Sequence, residues 1–175
     1  MVFSSTIFLF LFLPFVLLVY YNPFFKSGNF KNIILMCVSI GFYAWGEPIF
    51  VFVMIFSIIF NWFLALKIAG TGGKVKKLFL VISITYNIGL LFIFEYLSFV
   101  AKNVSLLFHK DNWSLKIALP IGISFFTFQI LSYVLDVYNG KVKVQKNIFK
   151  AALYVSLFPQ LIAGPIVRYF FKQLV

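Results

Sequence analysis

One cysteine, one histidine and only four acidic side chains stand among 175 residues, and each scarcity closes a route. A single thiol, Cys37, can form no intramolecular disulfide and no cysteine-based metal site; inside an apolar run it is expected to pack as a small hydrophobe. The lone histidine, His109, lies beside Lys110 and Asp111 in a polar loop over 102–116, with no further ligand at metal spacing. It reads as a solvated loop residue, and no metal site is expected. No glycine-rich phosphate loop, G-x-S-x-G turn or C-x-x-C pair occurs. Alternating polarity is missing too, which rejects an outer-membrane barrel. Nor does any repeat, low-complexity tract or flexible linker divide the chain, so a single transmembrane domain over 1–175 is expected.

What the chain has is apolar surface. Hydrophobic residues make up 63%, aromatic residues 22% and charged residues 11%, with a mean hydropathy of +1.04. No soluble fold could hide so much of it. A bilayer core about 30 Å thick takes roughly 20 apolar residues as helix. Unpaired backbone groups in hydrocarbon are costly, so helices are the expected spans. Apolar runs at 1–21, 33–46, 49–66, 78–101, 117–138 and 148–167 suggest an all-α bundle of about six. Asn22-Pro23, Gly46-Glu47-Pro48, Gly70-Thr71-Gly72-Gly73 and Asn139-Gly140 break the runs. The second run is short and must borrow Phe30 and Lys31 to cross. The first six residues carry no positive charge and no small-residue cleavage pattern follows, so Met1 is expected to stay.

Basic residues near short loops are retained on the cytoplasmic side. With the N-terminus outside, the inner loops hold Lys26, Lys31, Lys67, Lys74, Lys76, Lys77, Lys141, Lys143, Lys146 and Lys150. The outer side holds Lys102, Lys110, Lys116, Arg168 and Lys172. That ten-to-five split sets an N-out, multi-pass topology in the cell (inner or plasma) membrane. It also accounts for the net charge of +11 as lysines facing anionic lipid, without a nucleic-acid partner. Trp45, Trp62, Tyr20, Tyr21, Tyr43 and Tyr138 stand near span ends, where aromatic anchors belong.

Polar side chains inside the spans are where function is to be sought. At about 100° per residue, Phe125, Gln129, Ser132, Tyr133 and Asp136 share one arc of the fifth span. Ile123, Ile130, Val134 and Val137 take the other, toward lipid or an apolar neighbour. The polar arc should turn inward. One reading makes Gln129 and Ser132 interhelical glue and pairs Asp136 with a loop lysine such as Lys141; the other makes the arc the wall of a substrate tunnel. Pro120 and Gly122 permit a break at one end of this span. In the sixth, Pro159, Gln160 and Gly164-Pro165 place a kink and an amide ahead of Arg168. Asn61 with Ser57, and Glu95 with Asn87, suit interhelical hydrogen bonds.

Three segments carry more than composition. Phe42-Tyr43-Ala44-Trp45-Gly46-Glu47-Pro48 is the first. The second runs from Leu119-Pro120-Ile121-Gly122-Ile123-Ser124-Phe125-Phe126-Thr127-Phe128-Gln129 to Ser132-Tyr133-Val134-Leu135-Asp136-Val137-Tyr138. The third is Phe158-Pro159-Gln160-Leu161-Ile162-Ala163-Gly164-Pro165-Ile166-Val167-Arg168. Together they resemble the membrane-bound O-acyltransferase family, in its alginate O-acetyltransferase branch. The likeness extends from Met1-Val2-Phe3-Ser4-Ser5 to about Arg168.

The resemblance implies transfer of an acetyl group from a cytoplasmic donor, acetyl-CoA or another acyl thioester, to an extracytoplasmic polysaccharide or peptidoglycan hydroxyl. It implies a tunnel across the bilayer, a periplasmic or extracellular acetyltransferase partner, and no bound cofactor. Gln129, Ser132, Tyr133, Asp136, Gln160 and Arg168 are the candidates to line that tunnel. The family's catalytic histidine belongs to a later part of its sequence; His109 does not match its motif, so the chain reads as an N-terminal part with no catalytic residue of its own. The alternative class is a non-enzymatic membrane scaffold, or a transporter-like subunit of an export complex.

Overall fold

A computed structural model of the chain describes residues 6–21, 28–97, 99–100, 103, 120–163 and 169. Every regular element among them is helical. A π-helical turn, Phe8–Phe12, leads into α1 (Leu13–Tyr21), followed by α2 (Gly28–Gly46), α3 (Phe50–Gly70) and α4 (Gly73–Leu91). A second π-helical turn, Phe92–Tyr96, extends α4. Then come α5 (Ile123–Tyr138), α6 (Ile148–Ser156) and α7 (Phe158–Ala163). Two stretches, Phe50–Gly70 and Gly73–Tyr96, are long and apolar enough to cross a membrane. The second expected span is a 19-residue helix, longer than its apolar run, because it takes in Gly28 to Asn32.

The breaks follow backbone chemistry. Gly140 ends α5 at φ +70, with its N–H on Val137 O at 3.1 Å and the Lys141 N–H on Asp136 O at 2.9 Å. This is a Schellman ending, whose left-handed residue costs a side-chain-bearing amino acid about 1–2 kcal/mol. The expected sixth span, by contrast, is two helices. Leu157 leaves helical geometry at ψ 112, and Pro159 sits in the first turn of α7, where its missing N–H removes no helical bond.

Helix α5 lies at the centre, packed against α3, α4, α6 and α7, while α2 packs on α1, α3, α6 and α7. Met54, Ile58, Ala65 and Ile68 of α3 meet Ile123, Phe126, Ile130 and Val134 of α5 in the main core. A smaller aromatic core joins Phe8, Phe42 and Phe158. The outward surface is apolar: Phe10, Leu18, Trp45, Ile49 and Phe52 are each more than 70% exposed.

Several expectations are corrected by this packing. Ile123, Ile130, Val134 and Val137 face an apolar neighbour, as one of the two expected options had it, buried among α3 and α4, whereas Phe125 of the polar arc, expected inside, is exposed. A central helix buries most of its circumference and leaves only a narrow outer strip, here Phe125, Phe128 and Leu135. Cys37 is exposed rather than packed. Tyr43 is buried at 4%, and no anchor at a span end. Trp62 turns inward and donates Nε1–H to Gln145 O at 2.8 Å. Trp45 and Tyr21 do face outward, and Lys31 and Lys76 lie over the rings of Tyr20 and Tyr138 at 5.4 and 4.8 Å.

Candidate functional site

Polar groups gather where α5 meets α6. The break at Leu157 leaves the Tyr154 carbonyl and the Phe158 amide outside a continuous helical ladder, and both are met by side chains from other helices. Gln129 Nε2 donates to Tyr154 O at 2.7 Å. Ser39 Oγ accepts from Phe158 N at 3.4 Å while donating to Leu35 O at 2.7 Å. Gln129 is therefore the stitch that holds one side of a broken helix against the central one.

One turn further along α5, the Tyr133 hydroxyl accepts from Gln145 N at 2.9 Å. Gln145 is a junction. Its carbonyl takes Trp62, its Nε2 donates to the Tyr169 hydroxyl at 2.8 Å and its Oε1 accepts from Asn147 N at 3.1 Å. Asn147 in turn caps α6, with Oδ1 on Phe149 N at 2.9 Å. The rings of Tyr133, Tyr154 and Tyr169 pack edge to face, with centroids of Tyr133 and Tyr154 5.0 and 4.9 Å from Tyr169.

Asp136 is the exception to this tidy satisfaction. It is 6% exposed, yet its Oδ2 has no hydrogen-bond partner among the described residues. The expected pairing with Lys141 is made by the backbone alone, Lys141 N on Asp136 O, because the Schellman turn carries the lysine side chain into the exposed loop. Thr127 Oγ1 on α5 and Ser156 Oγ on α6 are buried and unpartnered as well. Such groups cost about 1–3 kcal/mol each where nothing meets them; of the three, Asp136 shares the face of α5 that carries Gln129 and Tyr133, whereas Thr127 falls on the face with Ile123, Ile130 and Val134.

The expected tunnel residues thus divide. Gln129, Tyr133, Asp136 and Gln160 are buried, Ser132 is half-buried, and Arg168 lies outside the described residues, as does His109. Gln129 and Tyr133 share the α5–α6 seam; Gln160 is on α7, which packs on α5 and α6. Sequence reasoning missed Ser39 and Gln145. A serine in an apolar helix leaves no trace of what it will accept, and Gln145 acts half through its backbone; only the Asn147 cap has a readable signature, an Asn just ahead of a helix.

A second polar seam joins α3 and α4 and borders that site, for Asn61 lines one small cavity with Tyr133, Tyr154 and Tyr169. Asn87 Nδ2 donates to Asn61 Oδ1 at 2.8 Å, Ser83 Oγ donates to the same oxygen at 2.6 Å, and the hydroxyls of Ser57 and Tyr86 share a bond of 2.9 Å. Glu95, in the π-helical turn, accepts from Ser124 Oγ of α5 rather than working with Asn87. Among the described residues no cluster of histidine, cysteine and carboxylate could hold a metal ion.

Comparison with known proteins agrees with the sequence resemblance. The chain is 36% identical over its whole length to the probable alginate O-acetylase AlgI of Pseudomonas aeruginosa, covering 34% of that protein. It is 35% identical, again over the whole chain, to the protein of that name in Pseudomonas putida, covering 36% of it. A peptidoglycan O-acetyltransferase of Helicobacter pylori is 33% identical over 97% of the chain, which covers 37% of that relative. The chain therefore spans about a third of the length of the curated relatives it matches. No family-wide sequence profile matches it, and no solved structure does.

Proposed function

We propose that this chain is the part of a membrane-bound O-acetyltransferase of the alginate branch that supplies one wall of its transfer tunnel. The observation that carries the reading is its likeness, at 33 to 36% identity over nearly all its residues, to proteins named as alginate and peptidoglycan O-acetylases. In this reading the chain crosses the inner or plasma membrane about six times, with the N-terminus outside. The broken pair α6 and α7 makes the last crossing. Acetyl-CoA or another acyl thioester serves as donor, and an extracytoplasmic polysaccharide or peptidoglycan is the acceptor. An exported acetyltransferase partner takes part on the outer side.

The chemistry assigns roles without a catalytic residue in this chain. The acceptor oxygen forms a bond to the acyl carbon of the thioester, the C–S bond breaks, and the hydroxyl proton passes to a base. General-base help of this kind contributes about 10² to 10⁴ in rate. By resemblance that base is a histidine in a later segment. Gln129 and Tyr133 position α6 and the loop before it against α5, while Asp136, on the same face, offers an unmatched polar atom to a polar substrate crossing an otherwise apolar bundle.

A chimera tests the reading. This chain replaces the corresponding third of the Pseudomonas aeruginosa relative in a strain lacking its own alginate O-acetylase, and acetyl groups on exported alginate are counted. Acetylation should be restored by the chimera and absent with the chain alone. A well-expressed, membrane-inserted chimera that leaves alginate bare would refute the proposed function. Transfer by the chain alone, abolished by His109→Ala, would overturn the assignment of the base to a later segment.

A further inference from the structure

Two loops far apart in sequence, 71–72 and 139–147, meet at one end of the bundle and enclose an open pocket of about 620 Å³. Lys76, Lys143 and Lys146 line it together with exposed Ala69 and half-buried Val144, above Ile68, Val137 and Val142, which are themselves almost wholly buried. None of the acidic side chains among the described residues, Glu47, Glu95 and Asp136, contributes to its lining. The charge is therefore of one sign, and unlike an ordinary solvated lysine patch it is set around a concavity with a greasy floor. Lys76 is held in place, its ammonium 4.8 Å from the centroid of the Tyr138 ring. The pocket adjoins the first turn of α4, where no acidic side chain offsets the positive end of the helix dipole.

We infer that this pocket binds a phosphate group carried on an apolar or amphipathic body. Three ammonium groups suit a multiply charged oxyanion better than a single carboxylate, and the accessible apolar surface of Ala69 and Val144 suits what the phosphate is attached to. Basic pockets between membrane helices hold phospholipid headgroups by this combination. Free polyphosphate offers the same oxyanion chemistry from solution. The inference is independent of the acetyl-transfer reading: it uses neither the α5–α6 seam nor the topology.

The test uses the full chain purified from membranes of phosphatidylcholine with and without phosphatidylglycerol, read by native mass spectrometry, and in parallel titrated with pyrophosphate. Retention of phosphatidylglycerol over phosphatidylcholine identifies a lipid headgroup; saturable pyrophosphate binding identifies a soluble phosphate. In either case the triple variant Lys76→Gln, Lys143→Gln, Lys146→Gln should lose at least roughly tenfold in retention or affinity, since each lysine near an anionic surface is worth a fraction of that on its own. The matched triple Lys74→Gln, Lys77→Gln, Lys150→Gln removes three exposed lysines that do not line the pocket and should retain binding. Arginine at positions 76, 143 and 146 should also retain it, separating loss of charge from loss of fold. Equal losses in both glutamine triples, or none in either, or no selective binding by the unaltered chain, would overturn the inference.

Discussion

Gln129 donates to the carbonyl of Tyr154 across 2.7 Å, and that one bond joins the central helix to a helix that stops two residues later. Gln129→Leu keeps most of the volume and removes the donor, a loss of one buried hydrogen bond of about 0.5–1.5 kcal/mol. Ser39→Ala does the same to the Phe158 amide on the opposite side of the break. Each should lower the thermal midpoint of the purified chain in detergent. The pair together should cost no more than the sum, because each acts on a different backbone group of one break. No loss from either would mean that the break is stabilised elsewhere.

The Asn61 and Asn87 pair should behave differently. Asn61 Oδ1 accepts from both Asn87 Nδ2 and Ser83 Oγ, so Asn61→Leu leaves Ser83 Oγ without its acceptor, while Asn87 Nδ2 keeps Ser83 O; Asn87→Leu leaves Asn61 Oδ1 still held by Ser83 Oγ. Asn61→Leu should be the worse single change. In the double variant the bond between the two amides is gone from both sides while Ser83 Oγ still lacks its acceptor, and a coupling of about 0.6–1.7 kcal/mol is expected from membrane cycles. Strict additivity in a double-mutant cycle would show that the two amides do not interact.

Tyr133→Phe removes the acceptor of the Gln145 amide, and Trp62→Phe removes the donor to its carbonyl. Hydrogen exchange should separate them. The Gln145 amide should exchange much faster in Tyr133→Phe than in the unaltered chain and only modestly faster in Trp62→Phe, since only the first variant frees that N–H. Similar exchange in all three would place the protection of this loop in its packing alone.

Where local chemistry decides, the sequence was legible. Asn139-Gly140 stops α5 because only a left-handed residue completes the turn, and Asn61 finds a polar partner because hydrocarbon offers none. The inward face of α5 was legible in Gln129, Tyr133 and Asp136. For its opposite face the sequence left lipid and an apolar neighbour both open, and the neighbour won, because a helix with neighbours on four flanks buries isoleucine and glutamine alike. The break at Leu157 stood two residues ahead of the proline that signalled it. What satisfies it comes from Ser39, 119 residues earlier, and no local pattern carries that.

Positions 76 and 143 line one pocket, so they must lie on the same side of any membrane the chain crosses. With Cys37 changed to serine, so that no other thiol is present, cysteines at Lys76 and Lys143 should resist a membrane-impermeant maleimide in intact cells. Both should react after lysis. Labelling of both from outside would invert the proposed topology; labelling of only one would contradict the pocket itself.

Asp136 separates stability from function most sharply. Its Oδ2 is buried without a partner among the described residues, a feature that costs the fold and that selection for stability alone would remove. Asp136→Leu fills a similar volume with no polar atom, so its thermal midpoint should equal or exceed that of the unaltered chain. Placed in the chimera with the Pseudomonas relative, the same substitution should cut alginate acetylation severalfold at equal membrane expression, while Leu135→Ala on the exposed strip of α5 should not. A lower midpoint would show that the carboxyl group has a structural partner after all. An unchanged midpoint with full acetylation would leave Asp136 without a part in transfer and remove the best reason to place the tunnel along this face.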